Sequence, residues 1–330
     1  MTVTRRPLLA LAAGSLAAPW LARGAGAQAT YPTRTITMIV PFAAGGPTDT
    51  VTRLVAEAMG RELGQTVVVE NVGGAGGTIG AQRVAQARPD GYTLLLHHIG
   101  MATTPTLYRR LSYDPVGGFE TVGLVTEVPM TLVARKDFPA NTLQEAIAVI
   151  RREGENLNYA NAGIGAASHL CGLLLMSSIG KAMTTVPFRG TGPAMQELLS
   201  GRVDLMCDQT TNTTEQINAG AIKVFNVTTE QRVGSLPNVP TSAEAGLPAF
   251  QVSVWHGIYA PKGTPAPVLQ RLSAALQVAL RDPRLVQRFA ELGTAPVSAE
   301  KATPEAHRQF WQAEIAKWRP VIQAAGQYAD

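Results

Sequence analysis

The chain has few of the features that mark metal, redox or nucleic-acid proteins. Only Cys171 and Cys207 among its 330 residues are cysteine. There is no CxxC and no Cys/His cluster with metal-ligand spacing, so neither a zinc site nor a cofactor is expected. In an oxidising compartment the two cysteines would pair. The alternative, favoured on this reading, is two buried thiols on neighbouring elements. Aromatic residues make up 6 % of the chain and never interleave with a basic run, which excludes a nucleic-acid partner. The formal net charge of +4 is itself misleading. Of the 28 basic residues, three (Arg5, Arg6 and Arg23) fall in positions 1–27, which hold no acid. That leaves 25 basic against 24 acidic side chains beyond them.

Long apolar runs are also scarce. The longest is Leu8–Leu21, broken by Gly14 and Pro19, which is too short for an ordinary membrane span. It follows Arg5-Arg6 and precedes the small-residue triplet Ala25-Gly26-Ala27, the layout of an export signal cleaved before Gln28. Thr4-Arg5-Arg6-Pro7-Leu8-Leu9 fits a twin-arginine signal, with an ordinary secretory signal as the alternative. Positions 1–27 are therefore set aside, and the mature protein is expected in the periplasm. The roughly 300 remaining residues suffice for two α/β lobes.

The most informative feature present is a pair of glycine-rich turns, each leading from an apolar strand towards a helix. The first runs from Ile39 through Pro41-Phe42-Ala43-Ala44-Gly45-Gly46 to Asp49. The second runs from Val67 through Gly73-Gly74-Ala75-Gly76-Gly77 to Gly80. Such turns let the backbone approach a ligand, and a helix starting there aims free N–H groups and a positive dipole end at it. Two of them suggest a small anion held mainly by backbone.

Strands are expected at Thr35–Val40, Thr66–Glu70, Tyr92–Leu96, Thr131–Arg135, Asn158–Ala160, Thr184–Pro187, Val203–Cys207, within Ala221–Thr228 and at Val252–Ala260. Helices are expected between them, and Thr103–Gly118 reads as irregular. The class is α/β, with two doubly wound sheets joined by a two-stranded hinge. One lobe comprises residues 28–130 and 253–330, and the other residues 131–252. Glycine turns at strand ends would then face one cleft.

Several side chains are candidates for that cleft. Asp49 either touches ligand or caps the first helix, the cap being favoured. His97-His98 end a strand whose alternation turns one of them inward, and His98 is the one taken as a ligand candidate. Ser168 opens a helix, whereas His169 reads as a structural helix-start residue. Arg189, in the turn before Gly190, offers a guanidinium for a carboxylate, or else forms a surface ion pair. Asp208 lies at a strand's carboxyl end, where it would accept from a ligand hydroxyl or cap the next turn.

Taken in order, these segments resemble the Bug family, the extracytoplasmic substrate-binding proteins of tripartite tricarboxylate transporters. The matching stretches include Pro41-Phe42 to Asp49, Glu70-Asn71 with Gly74-Ala75-Gly76-Gly77, Pro89-Asp90-Gly91-Tyr92-Thr93-Leu94, Ser168-His169-Leu170, Val186-Pro187-Phe188-Arg189-Gly190 and Gly201-Arg202-Val203-Asp204-Leu205-Met206. The resemblance spans Tyr31 to Asp330. It implies a two-lobed, type II-like binding protein that closes on an organic anion and delivers it to membrane permease subunits. It further implies that Phe42, Ala43, Ala44, Gly45 and Gly46, together with Gly74, Ala75 and Gly76, hold a ligand carboxylate. Ala44, Val72-Gly73 and Ala166-Ala167 depart from the family's usual residues. With fewer hydroxyls near Ser168, a partly apolar or aromatic acid, or a dicarboxylate, is the expected ligand.

A monomer is expected. The main alternative is presentation to a membrane sensor kinase. An exported enzyme is not favoured, because Gly80 falls one position late for a dinucleotide loop and no GxSxG elbow occurs.

Overall fold

The computed structural model describes residues 1–2, 31–326 and 328–329. The expected export signal at 1–27 lies almost wholly outside the described residues. Among the described residues no helix is long and apolar enough to cross a membrane.

The chain alternates strand and helix. β1 (Ile36–Val40), α1 (Pro47–Leu63), β2 (Val67–Asn71), α2 (Thr78–Ala85), β3 (Thr93–His98) and α3 (Gly100–Leu107) come first. β4 (Phe119–Arg135) and α4 (Leu143–Glu153) follow. Then come β5 (Asn158–Asn161), α5 (Ala167–Ile179), β6 (Thr184–Pro187), α6 (Thr191–Leu199), β7 (Leu205–Gln209), α7 (Thr210–Asn218) and β8 (Ile222–Val227). β9 (Ser253–Pro261), α8 (Ala266–Ala279), α9 (Pro283–Glu291), β10 (Ala295–Pro296) and α10 (Pro304–Ala325) complete the chain.

The strand order is β2-β1-β3-β9-β4-β7-β5-β6, with β8 and β10 also pairing β4. The trios β2-β1-β3 and β6-β5-β7 are parallel, as βαβ crossovers require, while β9 and β4 pair antiparallel with their neighbours. β4 joins the two trios. It pairs β9 from Phe119↔Pro261 to Pro129↔Ser253, then turns to β7 and β8 from Met130 onward.

Central strands such as β1 are apolar along almost their whole length because helices cover both faces. Val51, Val55 and Met59 of α1 pack with Leu272 and Leu276 of α8 and with Leu94 and Leu96 of β3. Opposite them, Trp311 and Ile315 of α10 join Tyr259 and Met101, and the Trp311 indole donates to the Met101 carbonyl.

Three expectations are corrected. The stretch Thr103–Gly118 is not wholly irregular, because α3 extends to Leu107 despite Pro105. Tertiary burial of Met101, Ala102 and Leu107 outweighs the weak local propensity. β4 begins at Phe119, twelve residues before the expected Thr131, and includes Pro129 at the point where its partners change. Cys171 on α5 and Cys207 on β7 form a disulfide, not two free thiols. The packing of α5 on β7 brings their Cα atoms to 6.0 Å, within disulfide reach.

Candidate functional site

Four helices start around one narrow, partly open space of about 20 Å3 between the two sheet halves. Gly46, Pro47 and Thr48 of the α1 start line it from the β1 side. Ala167 and Ser168 of α5, Thr191 of α6 and Gln209, which precedes α7, line it from the other side. Phe42, His98, Ala162 and Asp208 complete the wall. Among the described residues no lysine or arginine lines this space.

The helix starts themselves supply the positive potential. The N-cap positions are Gly46, Ala166, Gly190 and Gln209, and none makes a side-chain capping bond. Helices α4, α9 and α10 are capped by Thr142, Asp282 and Thr303, while α2, α3 and α8 likewise lack a side-chain cap, so what marks the four is their convergence on one space. An uncapped first turn leaves backbone N–H groups without intrahelical partners. Each such terminus carries about half a positive charge. Four of them around one cavity form an anion site that needs no cationic side chain.

The polar side chains add donors and acceptors. Ser168 Oγ accepts the Ala162 N–H at 2.9 Å, which leaves its hydroxyl proton free to donate. His98 Nδ1 accepts the Gly100 N–H at 3.0 Å, which places the ring proton on Nε2. Burial pushes the His98 pKa down to about 3, so the ring is neutral and acts as a dipolar donor. It stacks on Phe42 with ring centroids 4.6 Å apart. His97 is buried as well, edge-on to the same Phe42 ring, so burial does not distinguish the pair. Asp208 accepts from Asn212 Nδ2 at 2.5 Å, yet burial still raises its pKa to about 6.

The other predicted residues do different work. Asp49 is not the N-cap; Gly46 is, and Asp49 sits in the first turn. Its carboxylate accepts from Gly45 N, Arg53 Nε and Asn71 Nδ2, a set of bonds that braces the turn from behind. Ala44 and Gly45 are exposed, and Ala43 meets the opposite turn through its backbone.

Gly74, Ala75 and Gly76 do not line the cavity. They form a seal beside it. Gly76, at φ 61°, lies so close beneath the Ile164 carbonyl that a Cβ there would overlap it. The Tyr108 hydroxyl lies 2.7 Å from Ala75 O and 3.0 Å from Ile164 O, one proton shared across the seam. Arg189 is also corrected. Its side chain is exposed and outside the cavity lining, while its carbonyl accepts the Ala43 N–H at 2.9 Å. Gly190, at φ 145°, leaves room for that approach, since a Cβ there would stand 3.1 Å from Ala43 N. His169 accepts the Gly165 N–H at 3.3 Å and supports the loop.

Sequence reading overlooked Pro47, Thr48, Thr191 and Gln209. Gln209 is the last residue of β7 and the others follow a strand's carboxyl end, the side from which doubly wound sheets bind ligands.

The chain matches the family model described as tripartite tricarboxylate transporter family receptor over residues 51–327. It is 51 % identical over 308 residues to the UPF0065 protein in the TAR-I ttuE-ttuC' intergenic region of Agrobacterium vitis, covering 93 % of this chain and 88 % of that one. Among solved structures it is similar to the periplasmic binding protein BugD, at 49 % identity and a TM-score of 0.88, over 91 % of this chain and 100 % of that one. It is also similar to MatC of Rhodopseudomonas palustris with bound malate, at 43 % identity and a TM-score of 0.85, over 88 % and 100 %. The fold is thus that of the periplasmic binding proteins, and the chain belongs to the tripartite tricarboxylate transporter receptor family.

Proposed function

We propose that this protein captures a small carboxylate in the space between its sheet halves and hands it to the permease subunits of a tripartite transporter. One observation carries the reading: four uncapped helix N-termini converge on a space that, among the described residues, has no lysine or arginine in its wall. A carboxylate satisfies several orphan N–H groups at once, and burial strengthens each bond. The malate found in MatC supports the same ligand class.

In this reading residues 28–130 and 253–330 form one lobe and residues 131–252 the other. The Pro129↔Ser253 pair of β4 and β9 marks the hinge. Positions 1–27 act as the export signal, with release near Ala27 into the periplasm. Ala43, Gly190 and the Gly76 seal then report lobes closed over the site.

The test is a thermal melt of residues 28–330, refolded to remove bound solute, with aliphatic and aromatic mono- and dicarboxylates, amino acids and neutral sugars. A carboxylate at a hundred times its Kd stabilises the folded form by about 2.7 kcal/mol. Stabilisation by a sugar alone, or by no compound, would rule the reading out.

A further inference from the structure

The anion-binding termini account for only part of the cavity wall. Gln209 is 2 % exposed and lines the space, and its Oε1 has no hydrogen-bond partner. Asp208, the preceding residue, is 1 % exposed and lines the same space. A carboxylate and an amide oxygen therefore both border this space as acceptors, in a site whose helix starts are donors. Buried acceptors without partners are costly, and native proteins seldom keep one that nothing satisfies. A plain carboxylate brings only more acceptors and would leave Gln209 Oε1 unpaired.

We infer that the ligand is a hydroxy acid whose carboxylate sits on the helix N-termini and whose hydroxyl donates to the Asp208–Gln209 pair. This deepens the carboxylate reading proposed above and rests on it. The donor is a hydroxyl and not an ammonium group for an electrostatic reason. The four positive helix ends that favour an anion disfavour a cation in the same small volume. One oxygen of Asp208 also already accepts from the Asn212 amide, which leaves the other to accept from a hydroxyl. Gln209 is then a specificity-determining residue, because it rewards a group that the deoxy analogue lacks.

The experiment is calorimetric titration of the mature protein with matched acids that differ at one substituent. The sets are L-malate, succinate and L-aspartate; 2-hydroxyglutarate and glutarate; lactate and propionate; mandelate and phenylacetate. For the skeleton that fits, the hydroxy acid is expected to bind about 10- to 100-fold more tightly than its deoxy partner. Malate should also bind more tightly than aspartate if the four-carbon skeleton is the one that fits. In Gln209→Met, which keeps the volume and loses the acceptor, the ratio should shrink to within about threefold.

Equal binding of a hydroxy acid and its deoxy partner would overturn the inference and leave the carboxylate reading standing. Tightest binding by aspartate would overturn the hydroxyl assignment. An unchanged ratio in a folded Gln209→Met protein would remove Gln209 from the account. Binding of none of these acids would overturn both readings. Should Gln209→Met not fold, the wild-type ratios alone decide.

Discussion

The Ala43 N–H donates to the Arg189 carbonyl over 2.9 Å. This backbone bond ties the β1–α1 turn to the β6–α6 turn, two segments that begin far apart in sequence. It explains why small residues stand where the two turns meet, at Ala43, Gly46, Gly190 and Gly192. Gly46 and Gly192 lie as close to each other as Ala43 lies to Gly190, and a Cβ on either would stand within 3.3 Å of the opposite backbone.

Because Arg189 acts through its carbonyl, its guanidinium is dispensable. Arg189→Ala should change ligand affinity by no more than about twofold, as expected of an exposed side chain. Calorimetric titration with the ligand found by the melt decides the point. A tenfold loss would return the guanidinium to the site.

Gly76→Ala should block closure. The added methyl group meets the Ile164 carbonyl, and φ 61° is itself unfavourable for alanine. Overpacking of this kind costs about 1–3 kcal/mol, charged here mainly to the closed form, so affinity should fall about 10- to 100-fold. X-ray scattering of the variant with saturating ligand should keep the ligand-free radius of gyration. Compaction equal to that of wild type would mean that the seal yields easily.

Asp208 gives the ligand-free protein a pH-dependent stability. Burial raises its folded pKa from 3.8 to about 6, with the Asn212 amide and Thr191 hydroxyl offsetting only part of the effect. Between those values the folded protein holds a proton that the unfolded chain has released. The stabilisation is therefore complete below about pH 4 and is lost as the pH rises through 6, about 3 kcal/mol in all. Asp208→Asn does not titrate. Urea unfolding from pH 4 to 7 should show the stability difference moving in favour of the variant as pH rises. A difference independent of pH would mean that Asp208 is ionised throughout.

The Cys171–Cys207 bond spans 36 positions and stabilises by about 3–4 kcal/mol if it acts on the unfolded chain. It also joins α5, which carries Ser168, to β7, which ends at Asp208 and Gln209. Tyr159 reinforces the same join, donating to the Ser168 carbonyl at 2.7 Å and accepting from Cys207 N at 3.1 Å. Adding a reductant, or replacing both cysteines by alanine, should lower the melting temperature by several degrees. An identical melt with and without reductant would mean that the thiols are free in solution.

Sequence periodicity located most elements because it is a local property. β6 was expected and found at Thr184–Pro187, and residue type and spacing put the cap of α4 at Asn141 or Thr142 with Glu145 in the first turn, of which the structure has Thr142. Thr-rich α7 was overlooked because its propensity is weak and its helix is secured by burial of Thr210, Thr211, Thr213 and Thr214. The start of β4 was overlooked because Gly123 and Pro129 look like turn residues when no partner strand is in view.

The same division holds at the site. The sequence by itself determined the strand–helix alternation and the glycine turns, and these already favour an anion held by backbone. Each depends on neighbours a few residues away, where spacing fixes geometry. Only the tertiary structure decided that Gly74–Gly76 seal the cavity without lining it and that Arg189 contributes a carbonyl. It also decided that Gln209 Oε1 is buried without a partner. Those outcomes depend on how β4 carries one sheet half against the other, and no local pattern encodes a distance between residues 30 to 160 positions apart.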